Sequence, residues 1–338
     1  MNAGLIVIIL LLVLSILGIP IYLALGIGTL VALNMADMPF IVLPQKLFAG
    51  MNSSSLLAIP FFMLAGNIMS RSITGKLIDV SNALIGWIKG SLAVVTVLAS
   101  ALFGAISGSG VATASAVGGT TIPAMKEEGY PDHFAAAISG IAAILGPIIP
   151  PSITLIVYAS ITDLSVSKLF VGSVIPGILM AVGLIIYALF YGKKNDLPAH
   201  ERKSAKEVLL IFKDSIWALL MPVIILGGIF GGIFTPTESA AVAVVYALLV
   251  SLLIYKDIKI KDIPGIFVDG AISTATILML VGISKSSGYV ITTSGLPHQV
   301  LEVFSSFTNS TVVILLLLNI LFLVIGMLME ANAAIIMM

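Results

Sequence analysis

Cysteine is absent from this chain of 338 residues, which excludes disulfides, thiolate metal centres and a cysteine nucleophile. Charge is scarce: 9% of residues are Asp, Glu, Lys or Arg, and 16 cations balance 16 carboxylates. A net charge of zero leaves no electrostatic footprint for nucleic acid or an acidic partner. Histidine occurs three times, at His133, His200 and His298, always in polar connections. A serine hydrolase working at Ser107 or Ser109 would need a nearby base, and no G-x-S-x-G elbow surrounds either serine. Gly75-Lys76 lacks the earlier glycine of a phosphate-binding loop, which argues against an ATP-driven pump. The chain is not expected to be an enzyme.

What fills the sequence is apolar: 59% of residues are hydrophobic and the mean hydropathy is +1.19. These values place the chain in a membrane. Apolar segments fall near 4–33, 55–70, 91–125, 134–160, 168–192, 208–233, 237–255, 266–284 and 311–338, with no room for a soluble domain. The stretch from Met1 to Leu33 carries no charge and reads as one retained first helix, not a cleaved leader. Lys193, Lys194, Arg202, Lys203 and Lys206, together with Lys256, Lys259 and Lys261, mark two connections as cytoplasmic. Lys285 and Asn67 flank their segments and are expected at the membrane interface.

Two apolar segments are interrupted. One break is Ile106-Ser107-Gly108-Ser109-Gly110; the other is Leu145-Gly146-Pro147-Ile148-Ile149-Pro150-Pro151-Ser152. Lipid offers no hydrogen bonds to an unwound backbone, so such breaks persist only where protein buries them or where they line a polar cavity, and they point to a transport site. Segment 91–125 then reads as a re-entrant hairpin, the alternative being two full spans split near Gly110. Ser107 and Ser109 serve either ion binding or close helix packing through small residues.

The chain also repeats itself. Pro60–Gly66 is echoed by Thr276–Gly282, Thr74-Gly75 by Ser294-Gly295, and Leu102-Phe103-Gly104 by Val324-Ile325-Gly326, at spacings of 216 to 222 residues. Ordered weak similarity between halves is the mark of inverted-repeat transporters. This reading divides the chain into a first repeat over 1–192, with its hairpin near 91–125 and a broken helix near 134–160, a connection over 193–207, and an incomplete second repeat over 208–338. In this register Glu330-Ala331-Asn332 falls where Ser107 to Gly110 sits, and nothing corresponds to Val117–Gly192, so a C-terminally truncated chain is expected. Glu330 and Asn332 are either cavity residues, since ionisable groups at membrane depth are functional candidates, or the point where the run emerges into water. Thr235-Pro236-Thr237-Glu238 has the spacing of a capping box and needs no function.

Four motifs together, Ile59–Gly66, Phe103–Ala114, Gly146–Ser152 and Thr235–Glu238, resemble the large membrane subunit of tripartite ATP-independent periplasmic (TRAP) transporters. The resemblance implies an all-α polytopic inner-membrane protein of bacteria or archaea, an inverted-repeat, elevator-type transporter with re-entrant hairpins and broken helices. It implies sodium-driven uptake of organic acids such as C4-dicarboxylates or sugar acids. Its partners would be the lipid bilayer, a small four-helix membrane subunit and a periplasmic substrate-binding protein. Carried onto this sequence, it implies a sodium site at Ser107, Gly146, Ile149 and Pro151, mostly through carbonyl oxygens. Gly108, Ser109, Gly110, Pro150, Ser152, Glu330 and Asn332 are the remaining cavity candidates. Sodium favours oxygen ligands, which freed carbonyls supply, and a carboxylate substrate suits helix N-termini. A passive channel is the alternative, distinguished by non-saturating, sodium-independent flux.

Overall fold

The computed structural model describes residues 2–199, 201–307, 310–328 and 331–337, and these form helices and no strand. In chain order the helices are α1 (Ala3–Ile16), α2 (Ile21–Met35), α3 (Val42–Met51), α4 (Ala58–Ser72), α5 (Thr74–Ile85), α6 (Ser91–Ser107), α7 (Gly110–Thr113), α8 (Gly119–Glu127) and α9 (Asp132–Ala143). They continue with α10 (Leu145–Ile148), α11 (Ile153–Thr162), α12 (Val166–Lys194), α13 (Ala205–Phe230), α14 (Pro236–Leu249), α15 (Ile263–Thr293), α16 (Leu296–Phe307), α17 (Thr311–Leu328) and α18 (Ala331–Met337). Val166–Lys194, Ala205–Phe230, Pro236–Ile254 and Ile260–Thr293 are each long and apolar enough to cross a bilayer. Two broken pairs qualify jointly: Val42–Met51 with Ser54–Ser72, and Asp132–Ile148 with Ile153–Thr162, the latter bent by 45°. The chain is therefore an all-α, multi-pass membrane protein.

Packing divides the chain into two units, Met1–Leu56 with Thr274–Met338, and Leu57–Ser273. These units follow spatial packing, whereas the repeat boundary near 192 follows sequence similarity; the two describe different things.

The second unit is built around α6. Its sequence, SLAVVTVLASALFGAIS, is apolar or small on every side, and 14 of its 17 residues are buried, as expected of a helix with no charged face. Gly108 stops it in the left-handed region at φ 62°, Ser109 is extended, and Ser109 Oγ caps α7 by accepting from the Ala112 N–H at 3.3 Å. The chain then folds back, since α7, the π-turn Ala114–Gly118 and α8 all pack along α6. At the hairpin's base, Gly90 and Gly192 approach so closely that a methyl on Gly90 would lie 2.5 Å from the Gly192 Cα. Lys89 pairs there with Asp196, and the Phe134 and Tyr191 rings stack at 3.7 Å. α12, by contrast, exposes apolar residues such as Ile175, Leu179 and Phe190 along its length, a surface suited to an apolar surrounding.

In the first unit α1 and α2 fold back as a pair. The uncharged stretch to Leu33 is thus two helices of 14 and 15 residues and not one span. Gly18 takes φ 82° and Pro20 caps α2, so the Gly-Ile-Pro turn ends the first helix; Gly28 meets the Val7 backbone. Lys285 also departs from expectation: α15 runs on to Thr293, so Lys285 stands inside it, its stem against Gly50. Asn67 is likewise within α4, where its Nδ2 approaches Gly270.

Candidate functional site

Both interruptions lie in the second unit, and they pack directly on one another. The Ile153 N–H, first in α11, donates to the Gly108 carbonyl at 3.2 Å, so the end of one broken element is hydrogen-bonded to the tip of the other. A methyl on Gly108 would meet the Pro151 carbonyl at 2.6 Å, and one on Gly146 would meet the Ser109 carbonyl and Thr113 Oγ1, each at 2.7 Å. Gly104 rests on the Gly146 Cα, Gly110 on Pro147, and Gly66 of α4 on Ser107. Glycine is required here because backbone touches backbone.

The polar groups converge inside this contact. Ser107 is 2% exposed and Thr113 and Ser152 are fully buried. Thr113 Oγ1 donates to the Ser109 carbonyl at 2.7 Å and lies 3.3 Å from Ser107 Oγ, which accepts from the Ser109 N–H at 3.4 Å. Across the break, Pro150 and Pro151 have no N–H to offer the carbonyls of Gly146 and Pro147, their partners in a continuous helix. Ser152 Oγ donates to the Pro147 carbonyl and accepts from the Leu155 N–H at 3.2 Å, capping α11. The Gly146 carbonyl has no Pro150 N–H to accept from, and the side of Gly146 where a methyl would stand faces the Ser109 carbonyl and the Thr113 hydroxyl. That is an oxygen-rich, carboxylate-free setting, chemically fit for a hard monovalent cation.

Of the sequence-predicted residues, the structure brings together Ser107, Gly108, Ser109, Gly110, Gly146, Pro151 and Ser152, with buried Pro150 between them in sequence. The Ile149 side chain points elsewhere, against Gly177 of α12. Asn332 is buried in α18 of the first unit, and Glu330 lies outside the described residues. Thr113 was missed by sequence reasoning, although its place four residues after Ser109, in a helical stretch, puts its hydroxyl within reach of the Ser109 carbonyl. Among the described residues no three His, Asp or Glu side chains converge as metal ligands, and His133 and His298 stand exposed in the first turns of α9 and α16.

The sequence profile of the family described as tripartite ATP-independent periplasmic transporter, DctM component, matches residues 8–338. The chain belongs to the TRAP transporter DctM family. A Haemophilus influenzae relative, a putative TRAP transporter large permease protein, is 37% identical over 325 residues, covering 96% of this chain and 76% of the relative. The C4-dicarboxylate TRAP transporter large permease DctM of Pseudomonas aeruginosa is 40% identical over 294 residues, or 87% of this chain and 69% of that one. The 2,3-diketo-L-gulonate large permease YiaN of Escherichia coli is 34% identical over 325 residues, 95% and 76% of the two chains. Membership in the TRAP family makes this chain a permease component of the inner membrane and not an enzyme.

Proposed function

We propose that this TRAP permease imports organic acids by sodium-coupled secondary transport, with the paired breaks of its second unit forming the sodium site. The observation that carries the reading is the hydrogen bond from Ile153 to Gly108 beside the buried hydroxyls of Ser107, Thr113 and Ser152 and the half-buried Ser109. Ser107 Oγ and the carbonyls of Gly146, Ile149 and Pro151 are the proposed ligands. Relatives named for C4-dicarboxylate and 2,3-diketo-L-gulonate support a carboxylate substrate, because both names denote anions that a helix N-terminus such as that of α7 or α11 attracts. The family name supports a periplasmic binding protein as the source of substrate, with a small membrane subunit as the second partner. Sodium and substrate are both cargo in this scheme. An elevator-type shift of the hairpin-bearing core would carry them across, and re-entrant placement of the hairpin would keep both its ends on one membrane face.

Binding of radioactive sodium to the purified protein tests the site. Wild type is expected to bind saturably, and Ser107→Ala to bind about tenfold more weakly, the cost of one hydroxyl facing a charge. Equal binding by both proteins would remove Ser107 from the site, and absence of wild-type binding would remove the sodium reading.

A further inference from the structure

α5 runs antiparallel to the first turns of α13. Lys76, near the start of α5, is ion-paired with Asp214, whereas Ala83 and Leu84, near its end, share a groove with Ala205 and Val208. The groove is open, has a volume of about 520 Å³, and is walled by Leu84, Trp87, Arg202, Lys203, Leu209 and Phe212. Its two ends differ chemically. At one end the Arg202 guanidinium lies 5.1 Å from the Trp87 ring centroid, with Lys203 beside it. At the other, Leu84, Leu209 and Phe212 continue the apolar surface of α13, a helix long enough to span the bilayer.

Neither cation is held in an ion pair, although Glu207 attracts Lys203 at longer range. Among the described residues no carboxylate lies within ion-pair distance of Arg202 or Lys203. Residues 193–207 hold five cations and three acids. Asp196 pairs with Lys89, and Glu207, though within electrostatic reach of Lys203, spends its Oε2 on the Ser204 N–H and Oγ, each at 2.7 Å. Glu201 is the third and is exposed.

The geometry points to a binding groove for one anionic phospholipid, its phosphate held by Arg202 and Lys203 and an acyl chain lying along Leu209 and Phe212. A soluble anion needs no apolar wall, and a zwitterionic lipid gains less than an anionic one from two cations that no ion pair holds. Tryptophan beside basic residues at a span's end is the usual signature of the headgroup layer, and basic pockets beside membrane helices hold anionic headgroups. The positive-inside rule assigns this connection to the cytoplasmic leaflet.

The chain has two tryptophans, Trp87 and Trp217, so Trp217→Phe leaves Trp87 as the sole reporter in the groove. In nanodiscs of the full chain, brominated phosphatidylglycerol is expected to quench Trp87 more strongly than brominated phosphatidylcholine at equal mole fraction. Arg202→Gln and Lys203→Gln should each lower the relative association constant about fivefold, while the charge-preserving pair Arg202→Lys and Lys203→Arg should keep the preference. Continued quenching by phosphatidylcholine in the glutamine variants shows that they remain inserted. Equal quenching by the two lipids, or a preference that survives loss of both charges, would overturn the assignment. So would relief of quenching by millimolar inorganic phosphate, which would mark a pocket for free anions.

Discussion

Gly146 has no room for a methyl group: the Ser109 carbonyl and Thr113 Oγ1 each stand 2.7 Å from where it would go, and neither is the end of a long flexible chain. Gly146→Ala should therefore part the two breaks at a cost of about 1–3 kcal/mol, the range for overpacking. The expected result is a folded protein with a lowered thermal midpoint and weakened sodium binding; unchanged binding would show that the breaks act independently. Gly108→Ala should be worse, since it combines φ 62° with a 2.6 Å approach to the Pro151 carbonyl. Outside the spans, burial pushes the Tyr130 hydroxyl up to about 12, with Glu128 adding to the rise. The folded state then holds a proton that the unfolded chain releases near its ordinary value of 10.0. The stability involved is complete below that value and is lost as pH rises towards 12, so Tyr130→Phe should flatten the alkaline limb of a thermal-stability profile. At this scale the sequence exposed the glycines, serines and prolines of both breaks, because their chemistry is local. Thr113 escaped notice because its role depends on a helix turn that brings a common residue onto the Ser109 carbonyl.

Helix ends were legible where a side chain closes them. Thr235 Oγ1 accepts from the Glu238 N–H at 3.3 Å, and Glu238 Oε2 accepts from the Thr235 N–H at 2.8 Å, the capping box expected from spacing. Thr235→Ala should cost about 1 kcal/mol, read as a small fall in thermal midpoint with sodium affinity unaltered; a change in affinity would give this turn a role beyond capping. Helix lengths were less legible. Hydropathy alone treats 33 uncharged residues as one span, yet Gly18 and Pro20 divide them into α1 and α2, whose facing surfaces are as apolar as lipid. Lys285 seemed to end a segment because charge usually does, but Ser284, Ser286 and Ser287 around it are buried and α15 continues to Thr293. Ser286 Oγ donates to the Leu43 carbonyl at 2.9 Å and Ser287 Oγ lies 2.7 Å from Thr29 Oγ1, so tertiary contacts carry the helix past the cation. α5 and α16, each of 12 residues, were missed as elements because amphipathic helices give a weak apolar signal.

Across the whole molecule, the sequence motifs led to the TRAP family, and the family profile over residues 8–338 agrees. The element order also echoes across the chain: α5, α6 and α7 are followed 220 to 222 residues later by α16, α17 and α18. α15 runs unbroken where the earlier stretch is divided into α3 and α4, so the two stretches differ in continuity. The partition into Met1–Leu56 with Thr274–Met338 and Leu57–Ser273 could not be read from sequence, because it depends on which helices meet in space. Both breaks fall in the second unit, where they are hydrogen-bonded to one another. The most direct test is uptake of radiolabelled organic acids into proteoliposomes holding the permease with its small subunit and binding protein. Saturable uptake that requires an inward sodium gradient and is lost in Gly108→Ala is expected; uptake that neither saturates nor responds to sodium would remove sodium-coupled transport at these breaks.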